Sequence, residues 1–388
     1  MLQYIRLRFI FLFFSFLFLS APLYSQWPFL KEDADSLIRE GSNYIYNVQF
    51  DKAAQSFKKV IEKYPDNPAG YFLDAMIEWW KITLYRESES IDKSFLAKID
   101  KVLTVCDKKL EKNPFDINAL FFKGGALGYR GRFYSIRQKW IPAVRDGKAG
   151  FDLLVKCWEL APNNHDIMLG TGIYNYFAEV LPQKYPGLKP ISSFMPSGDK
   201  KIGILQLEAA GRYARYSSTE AKVILLQIFY QFEEDFTKSL AVAEDLYKIY
   251  PNNPYFHRYL GRSYVAMGMR DKWEAVWREI LNRCISKQLG YDRITSREAL
   301  YYVGTGLMYR NDLENALKYL YKCDEASRYI DKEPSGFMVR TNLYIGQIFD
   351  KQGKRKYAIQ QYEKIVKWKD YQGSQAEAQR YIQKPYGK

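Results

Sequence analysis

The chain has 388 residues, of which 26% are charged and 47% are hydrophobic, and its formal net charge is +14. Such a length is large for one globular core but ordinary for an array of repeats, and four cysteines are too few for a disulfide scaffold of this size. The basic charge favours an anionic membrane surface or an acidic protein as partner, and nucleic acid is not expected because no recognised binding motif accompanies the charge.

The N-terminal residues have the features of a secretory signal peptide. Arg6 and Arg8 precede the apolar run FIFLFFSFLFLS, and Pro22 follows this run. This order predicts a signal peptide over residues 1–25 with cleavage after Ser25. An uncleaved membrane anchor is the alternative, although the apolar run is short for a bilayer span. The mature chain is therefore expected to be exported, and either periplasmic or associated with the outer membrane.

Residues 34–66 form the first unit of a sequence repeat. A large, a small and an aromatic residue line one predicted helix, an alanine and a phenylalanine line the next, and a proline closes the unit. The small residues let two antiparallel helices touch, and the large ones fill the space beside that contact. The positions are Leu37, Gly41, Tyr44, Ala53, Phe57 and Pro65.

The same phase recurs in three C-terminal units. In all four units the small residue of the first helix and the contact residue of the second are 12 positions apart, and a fifth, looser unit closes at Pro251. This pattern resembles the tetratricopeptide repeat, and with the signal peptide the chain resembles exported bacterial members of that family. The pairs are Gly41 and Ala53, Gly261 and Trp273, Gly304 and Ala316, and Gly346 and Ala358.

Three consecutive units, over residues 67–217, are longer. Their facing positions are 26 to 31 residues apart, so each unit holds 14 to 19 residues more than the 12-residue phase requires. We expect these residues to lie between the two helices of each unit, as insertions that together form one ridge. The facing positions are Ala75 and Val102, Gly124 and Gly150, and Gly172 and Gly203.

The sequence thus predicts an all-α fold, a right-handed α-solenoid of about eight tetratricopeptide-like helix pairs over residues 26–388. Residues 34–66 form one regular unit, residues 67–217 three extended units with long inter-helix insertions, and residues 218–388 four regular units. The cysteines fall on apolar helical faces, which predicts buried free thiols and leaves one disulfide open as an alternative.

Residues 181–201 carry four prolines and two glycines between two predicted helices. Because each proline fixes φ and disfavours helix, we expect a stiff, non-helical strut at the edge of the array, with contact to a partner as the alternative. Residues 172–210 are locally similar to a tetratricopeptide family linked to mitochondrial outer membranes and inclusion-body clearance. The similarity rests on Leu181, Pro182, Phe194, Gly198, Asp199 and Gly203.

The family resemblance implies a binding groove lined by the first helices of the pairs. In tetratricopeptide proteins, peptide ligands commonly meet residues that flank the small position. The partner is then an extended segment or a helix of another protein. Transferred by phase, the groove residues are Arg258, Arg262, Tyr301, Thr305, Arg340 and Gln347.

A basic stretch within residues 130–148 is the second candidate site. Phe133, Tyr134 and Trp140 are interleaved with its cations, and Pro142 is expected to kink or divide the helix. A solvated helix face is the simpler interpretation, and docking on an anionic membrane surface or an acidic protein is the functional one. The residues of this basic ridge are Arg130, Arg132, Arg137, Lys139, Arg145 and Lys148.

Catalysis has little support in the sequence. His165 and His257 are the two histidines, and they lie about two repeats apart, while no phosphate loop, nucleophile motif or spaced metal ligands occur. We therefore predict a non-catalytic scaffold, without cofactor or metal, that mediates protein–protein interaction at the cell envelope. A glycan-binding accessory protein that uses surface aromatics is the alternative, since the chain has 33 Tyr, 24 Phe and 8 Trp.

Overall fold

The computed structural model describes residues 32–193 and 196–387, so the expected signal peptide lies outside the described residues. The described residues form α-helices joined by short connections, and no strand occurs among them. The helices are α1 Glu32–Tyr46, α2 Phe50–Lys63, α3 Pro68–Leu84, α4 Asp92–Lys112, α5 Ile117–Ile136, α6 Trp140–Leu160, α7 Ile167–Lys184, α8 Lys189–Ser192, α9 Lys200–Tyr213, α10 Ser218–Gln231, α11 Phe236–Ile249, α12 Pro254–Ala266, α13 Arg270–Ile285, α14 Arg293–Tyr309, α15 Leu313–Ile330, α16 Gly336–Lys351, α17 Arg355–Lys367 and α18 Ser374–Gln383.

Apart from the short α8 and the final α18, these helices form eight pairs, as the sequence predicts for the described part of the chain. The chain divides into two compact units that interleave along the sequence. Of the described residues, unit 1 comprises those up to Arg39, Ser56–Leu73 and those within Lys98–Ala221, and unit 2 comprises Glu40–Gln55, Asp74–Ala97 and those from Lys222 onward. The all-α helical-repeat fold is therefore confirmed, and each unit is described below by itself.

In unit 2 the two helices of a pair approach closely because one of them carries a glycine. A Cβ atom built on Gly261 of α12 would lie 2.8 Å from the indole ring of Trp277 on α13. No side chain fits in that space, so the glycine is required by packing. The same contact, again between residues 16 positions apart, joins Gly304 to Leu320 and Gly346 to Tyr362.

The long pairs of unit 1 meet backbone to backbone. A Cβ on Gly124 would lie 3.0 Å from the carbonyl oxygen of Gly150, and a Cβ on Gly172 would lie 3.0 Å from the carbonyl oxygen of Gly203. These are the facing positions that the repeat phase indicates for the second and third long units. The glycines therefore set the helix–helix distance in these units.

The predicted ridge of three insertions is wrong for the second long unit. Helices α5 and α6 have 20 and 21 residues and only residues 137–139 between them, so the additional residues lengthen both helices. A second glycine contact, between Gly131 and Gly147, keeps the longer helices together. Of the two alternatives for Pro142, division is the one observed: the stretch 130–148 is interrupted at residues 137–139, and Pro142 lies without a kink in the first turn of α6, where no backbone N–H is needed.

The other two long units differ from each other. Residues 85–91 connect α3 and α4, whose 17 and 21 residues account for most of the additional length. In the third unit a true insertion, residues 185–199, separates α7 from α9. Only one of the three expected insertions is therefore long, and no ridge of three neighbours forms.

The segment after α7 is partly helical, contrary to the expected non-helical strut. Pro182 lies inside α7 rather than in the gap, and the segment contains a 3₁₀ turn over Pro186–Leu188 as well as α8. The prolines Pro186 and Pro190 each stand in the first two positions of these short helices, where proline is tolerated. The side chain of Leu188 is buried.

The end of this segment is fixed against α7. The hydroxyl of Tyr174 donates to the carbonyl oxygen of Pro196 over 2.9 Å, and a Cβ on Gly198 would lie 2.2 Å from the carbonyl oxygen of Asn175. Asp199 then caps α9 by accepting from the backbone N–H of Ile202 over 2.9 Å. The need for glycine and aspartate at these two positions is therefore structural.

Two buried carboxylates of unit 1 hold the turn between α9 and α10. Asp166 accepts from the backbone N–H groups of Arg215, Tyr216 and Ser217 over 3.2, 2.9 and 2.8 Å. Asp35 of α1 accepts two hydrogen bonds from the Arg215 guanidinium, of 3.0 and 2.8 Å, and a third from the Tyr216 hydroxyl. The start of α1 is thus bonded to residues about 180 positions later.

Unit 2 has similar long-range contacts. Asn253 donates to the carbonyl oxygen of Tyr46 over 2.9 Å, and the N–H of Gly290 donates to the hydroxyl of Tyr85 over 2.8 Å. The ring of Trp80 packs edge-on against Phe256, with centroids 5.6 Å apart. Stacking of repeats on nearest neighbours alone does not produce contacts between residues about 200 positions apart.

A test of the glycine contacts compares two Gly→Ala variants. The Cβ of Gly203→Ala would lie 2.6 Å from the backbone nitrogen of Tyr176, so we expect a loss of about 1–3 kcal/mol in the free energy of unfolding. Gly128→Ala adds the same atom inside α5 where nothing lies within 4 Å, and should gain about 0.5–1 kcal/mol from helix propensity. Urea denaturation measures both, and equal effects would contradict the packing argument.

The Asp35 cluster predicts a pH-dependent stability. The hydrogen bonds from Arg215 hold the pKa of Asp35 below its usual value, so its contribution is present above the unfolded-state pKa of about 4 and is lost as the pH falls through the lower folded-state pKa. Asp35→Asn should lose about 1–3 kcal/mol at pH 7 and progressively less below about pH 4. Thermal denaturation against pH measures this, with the exposed Asp66→Asn as control; a deficit that does not change with pH would contradict it.

Candidate functional site

Polar and aromatic side chains form a continuous array on the first helices of the last four pairs, all within unit 2. Residues three or four positions apart lie on one face of a helix, and here each such face contacts the same face of the next first helix. We call this array the wall. Its residues are Gln227, Gln231, Tyr255, Arg258, Tyr259, Arg262, Thr295, Glu298, Tyr301, Tyr302, Arg340 and Tyr344.

Two glutamines join α10 to α12 at one end of the wall. Gln227 donates to the hydroxyl of Tyr255 over 2.6 Å, and Gln231, one turn later, donates to the hydroxyl of Tyr259. The ring of Tyr230 packs edge-on against Tyr259 with centroids 5.5 Å apart. The spacing of four in both helices matches the two bonds, so the register between α10 and α12 is defined.

An ion pair joins α12 to α14. The Arg262 guanidinium donates two hydrogen bonds of 2.6 Å to the two carboxylate oxygens of Glu298. Burial disfavours the charged guanidinium, but the carboxylate outweighs it, and the pKa of Arg262 is raised. Because this geometry is bidentate and Glu298 is buried, the charge of Arg262 is neutralised inside the protein.

Arg258, one turn before Arg262, has a different environment. Its guanidinium donates to the hydroxyl oxygen of Thr295 over 2.7 Å, and that hydroxyl donates in turn to Asp292 over 2.7 Å. No carboxylate in the described part of the chain forms an ion pair with Arg258. Burial, and then the positive charge of Arg262, lower the pKa of Arg258. The wall therefore holds a partly buried cation whose only polar partner among the described residues is neutral.

Aromatic rings continue the wall onto α16. Tyr301 packs against Phe337 with centroids 5.4 Å apart and against Tyr344 with centroids 5.9 Å apart. Burial, and then the neighbouring Tyr344, raise the pKa of the Tyr301 hydroxyl. Beyond them Arg340 donates to Glu377 of α18 over 2.9 Å, so this arginine too is neutralised.

The groove residues predicted from the repeat phase divide into two sets. Arg258, Arg262, Tyr301 and Arg340 lie on the wall. Thr305 and Gln347 are each 3% exposed, because they face the packing between helices, so neither presents a surface to a ligand. Whether any of the six binds a partner stays a prediction.

Sequence reasoning identified Tyr301 and the three arginines of the wall but missed its other residues. Glu298 and Thr295 decide which arginine is neutralised, and no repeat phase identifies them because they belong to the next helix pair. Gln227 and Gln231 could be found from the sequence, because they are four positions apart and Tyr255 and Tyr259 on the next first helix have the same separation. A search for equal spacings in successive first helices finds these four residues.

The basic ridge is not one continuous charged surface. Arg130 is largely buried and bonds Asp146 over 2.6 Å and Asp100 over 3.1 Å. Lys148 pairs with Asp152 over 2.6 Å. Arg132 and Arg137 lie over the rings of Tyr129 and Phe133, at 5.4 and 5.7 Å from the ring centroids. Lys139 and Arg145 are exposed.

The described residues offer little for catalysis or metal binding. His257 is buried, its ring lies 3.0 Å from the hydroxyl of Tyr291, and burial lowers its pKa to about 3, so it is neutral at pH 7. No cluster of three or more His, Cys, Asp or Glu side chains occurs in the part of the chain that the structure describes.

The four cysteines are free thiols. Cys106, Cys157 and Cys323 are buried and Cys284 is partly buried, in agreement with the prediction for three of them. Burial raises the pKa of Cys106 and of Cys157 to about 12, which leaves little thiolate at neutral pH. Among the described helices, none combines the length and the apolar character that a bilayer span requires.

Comparison with protein families identifies the first helix pair. A family model described as "Tetratricopeptide repeat" matches residues 35–67, whereas comparison with curated proteins gives no match. Among solved structures, the chain is similar to yeast Tom70 (13% identity, 91% of this chain and 89% of that chain, TM-score 0.37). For human IFIT1, solved as a dimer with m7Gppp-AAAA, the identity is 13%, the match covers 92% of this chain and 88% of that chain, and the TM-score is 0.40. For a tetratricopeptide repeat protein from Parabacteroides merdae, the identity is 13%, the match covers 76% of this chain and 93% of that chain, and the TM-score is 0.30. At TM-scores of 0.40 or lower, these structures support no statement about what this chain binds.

Proposed function

Because the chain is a tetratricopeptide-repeat protein, and such repeats serve as scaffolds for protein interaction, we propose that the wall of unit 2 binds an acidic segment of another protein. We further propose that the protein is non-catalytic and works at the cell envelope. The N-terminal sequence supports export, and the match of residues 35–67 to the tetratricopeptide repeat, which is generally a non-catalytic scaffold, supports the non-catalytic role.

Arg258 is the observation that carries the proposal. Of the three arginines on the wall, Arg262 and Arg340 form ion pairs with carboxylates of the chain itself, while the partner of Arg258 is the Thr295 hydroxyl. A partly buried charge with no counter-ion is unfavourable, and a carboxylate from a ligand would neutralise it with hydrogen bonds stronger than neutral ones.

The rest of the wall suits an extended segment or a helix. The amide groups of Gln227 and Gln231 lie on α10, the first helix next to the α12 helix of Arg258, and they can exchange hydrogen bonds with main-chain groups of a bound segment. Tyr301 and Tyr344, on the other side of Arg258, offer ring surface for apolar side chains. An acidic residue with hydrophobic neighbours is therefore the ligand chemistry that the wall fits best.

Glycan binding is the second candidate, because exposed tyrosines occur on unit 2. Tyr329 is 74% exposed and Tyr357 is 55% exposed, and such rings can stack on sugars. Tryptophan does not contribute in the same way, since Trp80, Trp273 and Trp277 are buried in the core. Retention on a glycan panel, and its loss on Tyr329→Ala, would favour this function over peptide binding.

The peptide hypothesis predicts a specific loss at Arg258. We expect Arg258→Gln to weaken binding of a fluorescent peptide with four glutamates and a free C-terminus by about 10- to 100-fold, the range for a hydrogen bond to a charged group. Fluorescence polarisation measures the dissociation constant.

The matched control is Arg293→Gln, which removes the same charge from an exposed residue at the start of α14. It should leave the dissociation constant within about two-fold, since an isolated surface charge contributes little. Equal losses in both variants would mean that net charge alone attracts the peptide, and no loss at Arg258→Gln would overturn the proposed site.

A further inference from the structure

We propose that unit 1 carries a second binding surface, which docks on an anionic phospholipid bilayer. This docking surface is formed by the start of α6 and by the segment that follows α7. It lies in a different compact unit from the wall and shares no residue with it, so it goes beyond the protein-binding function. Its residues are Lys139, Trp140, Ile141, Arg145, Tyr185 and Lys189.

A ring contact joins the two parts of the docking surface. The rings of Trp140 and Tyr185 lie with centroids 5.8 Å apart at an interplanar angle of 37°. These residues are 45 positions apart in the sequence, and their contact places the start of α6 beside the end of α7. The basic ridge and the proline-rich segment, which the sequence shows only as separate stretches, therefore contribute to one surface.

The docking surface has exposed apolar groups at its centre. Ile141 is 72% exposed and Tyr185 is 44% exposed, and Trp140 lies between them. Transfer of an exposed isoleucine side chain out of water is favourable, and tyrosine and tryptophan rings prefer the level of the lipid headgroups. This apolar content distinguishes the docking surface from a merely solvated basic face.

Cations surround these apolar groups. Residues 132–148 and 181–201 contain nine Lys and Arg side chains and two carboxylates, Asp146 and Asp199. Asp146 is buried and bonds Arg130 over 2.6 Å and Arg145 over 3.3 Å, and Asp199 is engaged in capping α9. Both carboxylates thus have structural roles, and the excess positive charge complements anionic headgroups.

The spacing on α6 places apolar and basic groups together. Ile141 and Arg145 are one turn apart on the same face of the helix, and the side chain of Arg145 is 70% exposed. Lys139, just before the helix, is also exposed. An isoleucine can enter the acyl boundary while the neighbouring long cations reach the phosphates, as in interfacial helices.

Vesicle flotation tests the docking surface on the full chain. The measured quantity is the ratio of partition coefficients between phosphatidylglycerol-containing vesicles and pure phosphatidylcholine vesicles. The apolar run near the N-terminus, if retained, raises binding to both vesicle types alike and cancels in this ratio. We expect Lys139→Glu/Arg145→Glu to lower the ratio by about 30-fold or more, since each basic group near an anionic surface contributes about fivefold.

A second variant tests the apolar centre. Ile141→Ser should lower the partition coefficient on phosphatidylglycerol vesicles by about 10-fold, the order expected for one aliphatic side chain. Phe115→Ser is its matched control, because Phe115 is 70% exposed in the same unit but lies outside the docking surface. It should leave vesicle binding unchanged.

The charge control is Lys108→Glu/Lys112→Glu, which reverses two exposed lysines of unit 1 on α4, a helix that contributes no residue to the docking surface. A fall in the ratio equal to that of Lys139→Glu/Arg145→Glu would overturn the proposal, as would a wild-type ratio near one. Arg258→Gln should keep the full ratio, so loss of peptide binding and loss of lipid binding are distinguishable. Circular dichroism of each variant checks that the helices are intact.

Discussion

Close contacts between the two helices of a pair occur at glycines, where one helix has no side chain to separate the two backbones. Gly261 receives the ring of Trp277, and Gly124 and Gly150 meet backbone to backbone. Such contacts set the distance between the two helices of a pair, and side chains larger than hydrogen would enforce a wider separation. The positions of the first helices α5, α7, α12, α14 and α16, and therefore of the side chains on them, depend on this constraint.

The wall of unit 2 is the consequence of that regular placement. Bonds of 2.6 Å join successive first helices, from Gln227 to Tyr255 and from Arg262 to Glu298, and Arg340 bonds Glu377 of the final helix over 2.9 Å. These bonds consume most of the polar groups that could meet a ligand. Arg258 is left with a neutral partner, and a single unneutralised cation in a rigid array is a more selective site than a row of free charges.

Much of the fold could be predicted because small and large residues alternate at a fixed phase. The facing pair Gly172 and Gly203 was readable from spacing alone. The repeat phase gives the number of residues between two contacts but not whether these residues form helix or loop. It therefore predicts an insertion where the structure has the long helices α5 and α6. Pro142 is a correct sign that the helix is divided here, although the break falls at residues 137–139 and the proline itself is accommodated in the first turn of α6.

The candidate sites were less predictable because their chemistry depends on tertiary partners. Arg130 and Arg145 look alike in the sequence, but Arg130 is largely buried between Asp100 and Asp146, while Arg145 contacts Asp146 over 3.3 Å and stays 70% exposed. Likewise Arg258 and Arg262 share one helix face, and only the identity of Thr295 and Glu298 on the next first helix separates them. No single-chain periodicity carries that information.

The central claim, that a protein partner binds at the wall of unit 2, is tested most directly by site-specific photo-crosslinking in living cells. A photoreactive phenylalanine replaces Gln231, which is exposed at the wall, or Tyr357, which is exposed on α17 outside it. The account predicts a protein adduct from position 231 that disappears when Arg258→Gln is introduced, and none from position 357. An adduct from position 357 alone, or one from position 231 that persists with Arg258→Gln, would contradict it.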